Sequence, residues 1–97
     1  MDKLPAIHPG EFLAEILSEI GVSQAAFGRA AGVSAMRVSH VIAGTRPVTA
    51  ELALRFGKVL GQSPEYWLNL QTACDLATAR DAVGRELKDV RRLPQVA

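Results

Sequence analysis

The sequence predicts an all-α domain of about five helices with an extended C-terminal helix. Apolar residues recur at three- and four-residue spacing through most of the chain, which is the period of one helix face. Small polar caps and glycines stand between these runs. Ser23, Ser34, Thr49 and Ser63 open segments, and Gly21, Gly32, Gly44 and Gly61 follow their ends. The 97 residues, 48% apolar and 22% charged, suit one domain (residues 1–97) with a single modest core.

Leu4-Pro5 reads as extended, with Ile7 as an anchor. The first helix is expected over residues 9–20. Pro9 occupies its first position, where a missing N–H costs nothing, and Glu11 lies in its first turn, favourable to the helix dipole. Phe12, Leu13, Ile16, Leu17 and Ile20 make its inward face, and Glu11, Glu15 and Glu19 an acidic outer stripe. His8 precedes Pro9 where a cap would lie and has no partner at metal-ligand spacing, so it reads as neither ligand nor base.

Residues 23–46 organise the chain. Ser23 caps a short helix, Gln24–Ala31, that turns Phe27, Ala30 and Ala31 inward. Gly28 forms helix poorly, by roughly 1 kcal/mol relative to Ala, and is expected where another helix crosses closely. Gly32 ends that helix, Val33 plugs the turn, and Ser34 caps the next. In this second helix Val38, Val41 and Ile42 form one apolar stripe, which leaves Ala35, Met36, Arg37, Ser39 and His40 outside. Two short helices joined by a tight turn form a helix-turn-helix, whose second helix enters the DNA major groove while the first crosses the backbone. Gln24, Gly32-Val33-Ser34, Val38-Ser39 and Gly44-Thr45-Arg46 together resemble the lambda-repressor-like (XRE-type) DNA-binding class. Phe27-Gly28 departs from its commoner Leu-Ala but keeps the order of large then small.

Net charge supports this location. It is +1 for the whole chain, but −3 over residues 1–22, +4 over 23–62 and zero over 63–97. The positive charge therefore coincides with the helix-turn-helix, as phosphate contact requires.

Thr49 caps a helix over 50–60, with Leu52, Ala53, Phe56, Val59 and Leu60 inward and Arg55 and Lys58 outward. Ser63-Pro64-Glu65 starts another over 64–74. Trp67 belongs to the core or to an interface. It is not read as base-stacking, since no basic cluster surrounds it. From Gln71 to Leu93 only Gly84 disfavours helix, so a helical extension is expected over 75–93. Its Leu76, Val83, Leu87 and Val90 step by seven, four and three, the seam of a two-helix contact. That seam either meets a second copy or another protein, or folds back on its own domain. Cys74 reads as a small buried hydrophobe. Arg91-Arg92-Leu93-Pro94 ends the helix, and 95–97 are expected to fray. One cysteine, no apolar run of membrane-spanning length and no apolar leader make a bacterial cytoplasmic location the default.

A wider pattern joins these parts: His8-Pro9-Gly10-Glu11-Phe12-Leu13, then Gly44-Thr45-Arg46-Pro47-Val48-Thr49, then Ser63-Pro64-Glu65-Tyr66-Trp67-Leu68-Asn69-Leu70-Gln71, then Asp75-Leu76. It resembles the HigA (VapI-type) antitoxin family of toxin–antitoxin modules, from His8 to about Leu76. The resemblance implies a homodimeric autorepressor that binds a palindromic operator in double-stranded DNA. It also implies an antitoxin that neutralises a HigB-type, RelE-like mRNA endonuclease, with no catalytic residue, cofactor or metal of its own. Helix-turn-helix geometry then places Ala35, Met36, Arg37 and His40 at base edges. Gln24, Ser34, Ser39, Thr45 and Arg46 are placed for phosphates, which position without specifying. Trp67, Leu76, Val83, Leu87 and Val90 are the candidates for the dimer or partner interface. Two alternatives stay open: a phage-type or other XRE repressor without a toxin, and a toxin-binding module with little DNA role. An enzyme is disfavoured, with two isolated histidines, no phosphate-binding glycine loop and no evident carboxylate pair.

Overall fold

A computed structural model describes residues 6–94, so the readings made at Leu4-Pro5 and at 95–97 lie outside the described residues. Five helices follow in order: α1 (Pro9–Ile20), α2 (Gln24–Ala31), α3 (Ala35–Ile42), α4 (Ala50–Leu60) and α5 (Pro64–Val83). A short 3-10 turn, Glu86–Asp89, comes last.

Each helix begins where a side chain can take up an orphan amide. His8 Nδ1 accepts from the Gly10 N–H at 2.9 Å, so this histidine is the cap of α1. Ser23, Ser34, Thr49 and Ser63 do the same for α2 to α5, each accepting from the amide three residues on.

The helices close around an aromatic chain. Phe27 of α2 lies 5.1 Å from Phe56 of α4, and Phe56 meets Trp67 of α5 edge-on at 5.6 Å. Leu13 and Leu17 of α1, Val38 and Val41 of α3, Val48, Leu52 and Ala53 complete the buried core. Trp67 is wholly buried, which assigns it to the core and removes it from the candidate interface. Gly10 and Gly28 are among the glycines that permit close approach. A methyl on Gly10 would run into the Val41 carbonyl, so α1 lies with its backbone against the end of α3. A methyl on Gly28 would sit 2.6 Å from the Val33 carbonyl oxygen. The crowding at Gly28 comes from the turn of the helix-turn-helix itself, not from another helix crossing over it.

Three residues expected inside are exposed: Ile20, Ala30 and Val59. Each sits in the last turn of its helix, on the side turned away from the core residues Leu17, Ala31 and Phe56. Packing against the domain, rather than the apolar period alone, decides which end residues are covered.

The C-terminal part also differs from expectation. α5 continues without a break through 74 and 75 and stops at Val83. Gly84 follows, then the 3-10 turn, and Val90 is extended. A continuous helix to 93 does not form. Glycine disfavours helix there, and the residues beyond it are exposed, so no burial offsets that penalty. No described helix is long and apolar enough to cross a membrane.

Candidate nucleic-acid interface

α3 is divided lengthwise. Val38 and Val41 are fully buried and Ile42 packs against the core. On the other side Ala35, Met36 and Ser39 are exposed, Met36 to 68%. Arg37 and His40 are half-buried at its flanks. With about 100° per residue, Arg37 lies two steps round from Ala35, so it leaves the outer face on one side. All four residues expected at base edges therefore keep some exposure on or beside one face.

The phosphate candidates differ among themselves. Gln24 opens α2 and is exposed, as are Ser34, Ser39 and Arg46. Ser34 Oγ accepts from the Arg37 amide at 3.1 Å, which leaves its hydroxyl proton available. Thr45 is different. Its hydroxyl donates to the His40 carbonyl at 3.1 Å, and its amide reaches the same oxygen at 3.0 Å. A hydroxyl has one proton to donate, so as folded Thr45 closes the end of α3 rather than offering a donor to phosphate. The Arg46 amide also reaches the His40 carbonyl, at 3.3 Å, which fixes the backbone that carries its exposed side chain.

Three polar residues that the sequence did not single out hold this face in place. Arg55, expected to point outward, instead donates from Nη1 to the Ala31 carbonyl at 3.0 Å and lies 3.5 Å from that of Gly32. It thereby fastens α4 to the end of α2, where carbonyls have lost their helical partners. Its Nε and Nη2 bind one oxygen of Glu51, at 3.3 and 3.2 Å. The other Glu51 oxygen lies 3.8 Å from Arg37 Nη2. Gln71 is the third. Buried in α5, it accepts from the Val48 amide at 2.7 Å and donates to Asp75 at 2.9 Å. The segment leaving the helix-turn-helix is thus tied to the last helix. The acid-first spacing of Glu51 and Arg55, four residues apart, is a signal for their ion pair. Nothing local signals that a glutamine at 71 serves an amide 23 residues earlier.

The expected interface residues Leu76, Val83, Leu87 and Val90 are all exposed, Leu87 to 51% and Val90 to 68%, so they do not fold back on the domain. Only Leu76 and Val83 lie on α5; Leu87 falls in the 3-10 turn and Val90 beyond it. Leu76 lines an apolar groove of about 440 Å³ together with Ile7, Phe12, Leu70, Cys74 and Arg80 among others. Cys74 is half-buried there.

The chain matches the profile of the helix-turn-helix (HTH_3) family over residues 13–67. It is 39% identical to antitoxin HigA-1 of Vibrio cholerae over 85 residues, 87% of this chain and 80% of that one. Among solved structures it superposes on antitoxin GraA in complex with its operator, with TM-score 0.88 and 43% identity, over 100% of this chain and 98% of that one. It is likewise similar to Pseudomonas aeruginosa antitoxin HigA with the higBA promoter, with TM-score 0.84 and 38% identity, over 94% and 99% of the two chains.

Proposed function

The chain belongs to the HigA antitoxin family of helix-turn-helix proteins, which are not enzymes, and from that premise we propose that it is a sequence-specific DNA-binding autorepressor. We further propose that it neutralises a HigB-type, RelE-like mRNA endonuclease. The observation that carries the first part is the division of α3, with Val38 and Val41 buried and Ala35, Met36 and Ser39 exposed in the stretch of net charge +4. Relatives of the same length and fold that are described with an operator or promoter support it.

In this reading Arg37 reads a guanine through two hydrogen bonds, a contact of about 1–3 kcal/mol in discrimination. Met36 and Ala35 meet thymine methyl groups, and His40 adds an edge contact one turn later. Gln24, Ser34, Ser39 and Arg46 hold phosphates. Thr45 contributes by fixing the backbone of Arg46. The outer face offers few strong readers, so operator affinity comes from two copies on a palindrome. The exposed Leu76 and Val83 on α5, with Leu87 and Val90 beyond, supply the apolar surface for a homodimer or for the toxin. Two copies must set their α3 helices about 34 Å apart, one turn of DNA.

Titration of the full chain into DNA from ahead of its own operon tests the reading. Operator DNA should bind more tightly than scrambled DNA. Arg46→Ala should weaken both and make the salt dependence shallower by about one ion. Equal binding to both duplexes would sink the repressor role. Co-expression with the toxin encoded beside it should restore growth; continued arrest would remove the antitoxin role and leave a plain repressor.

A further inference from the structure

Glu51 stands at the first turn of α4, the only acidic side chain between residues 23 and 62. Its carboxylate divides its oxygens between two arginines. Oε2 takes two donors from Arg55, and Oε1 faces Arg37 Nη2 at 3.8 Å. Arg55 is itself fastened to the carbonyls of Ala31 and Gly32. A chain of contacts thus runs from the turn's backbone, through Arg55 and Glu51, to the first turn of the proposed reading helix.

We infer that Glu51 is a positioning residue for DNA specificity: it holds the Arg37 guanidinium beside α3, so that Arg37 leaves it for a base edge and not for an ordinary phosphate. This rests on the proposed reading of Arg37 as a base contact. The physical basis has two parts. A free arginine loses rotamer entropy on binding, and a tethered one has already lost part of it. The carboxylate also competes. A guanine edge presents two acceptors in the geometry of the guanidinium fork and displaces it. Leaving Glu51 costs the same for either acceptor, but a phosphate also meets the repulsion of that neighbouring negative charge, which a neutral guanine edge does not. Glu51 therefore acts on the difference between right and wrong DNA more than on affinity itself.

The test is a double-mutant cycle on the full chain with E51Q, R37A and the double variant. Each is read by selection from a randomised duplex pool and by the salt slope on non-operator DNA. E51Q should raise non-operator binding on the order of fivefold, the scale of one exposed ion pair. It should also steepen the non-operator salt slope by about one ion as Arg37 turns to phosphate, and blur the same base position that R37A blurs. In the R37A background E51Q should change no base preference, and its effects on non-operator binding and salt slope should fall well below those in the native chain. Should E51Q act equally in both backgrounds, Glu51 works as a bare charge and the positioning role is overturned. Should E51Q lower the melting temperature while leaving preference and salt slope unchanged, its role is structural only, and the inference fails. If R37A itself leaves every base preference intact, the reading of Arg37 fails first and takes the inference with it.

Discussion

The domain up to Gln71 and the chain from Leu76 onward obey opposite rules. In the first, a set of large side chains is sealed inside, although Ile20, Met36 and Leu54 are not: Leu13, Phe27, Phe56 and Trp67 are almost completely covered, and Gln71 meets a buried amide. In the second, Leu76, Val83, Leu87, Val90 and Leu93 are as apolar and all exposed. The difference lies in what surrounds each stretch. All five helices contribute buried side chains around the aromatic chain, whereas the end of α5 runs past that cluster. Apolar surface left uncovered in this way is the surface proposed above for a second copy or for the toxin.

Mutations in the two regions should therefore act on different measurements. Phe56→Ala should have the largest effect. It removes the ring between Phe27 and Trp67, and the expected loss is about 3–5 kcal/mol of stability by denaturant titration. A loss under about 1 kcal/mol would mean that the aromatic chain does not carry the core. Gln71→Ala comes next. It strands the buried Val48 amide, at a cost of about 1–3 kcal/mol, and should speed exchange of that amide in hydrogen-exchange measurements. The smallest change in stability is expected for Leu87→Ala, within about 0.5 kcal/mol, because the side chain is exposed and outside the buried core. Its effect should appear instead in sedimentation or in toxin binding. A melting temperature as strongly lowered as that of Phe56→Ala would abolish the distinction between the two regions.

Capping was legible because it is local. Ser23, Ser34, Thr49 and Ser63 each accept from an amide three residues on, so a short stretch of sequence contains both partners. The split of α3 was legible for the same reason, since Val38 and Val41 fall on one side of any helix built from this sequence. Trp67 was not assignable, because a core tryptophan and an interface tryptophan look alike until a neighbour such as Phe56 is placed. Thr45 is similar: a surface hydroxyl suits phosphate, and only the folded turn shows it engaged with the His40 carbonyl.

The sequence by itself determined five helices, their starting points, the helix-turn-helix and the location of its charge, because each depends on contacts within a few residues. The tertiary structure alone decided which exposed residues are held and by what. Arg55 reaches the carbonyl of Ala31, Glu51 faces Arg37, and Gln71 receives the amide of Val48. Two of these pairs lie 24 and 23 residues apart and the third lies 14 apart, so chain geometry brings them together only after the helices have packed. The end of α5 was decided the same way: without a surface to pack on, the helical pattern past Gly84 had nothing to hold it.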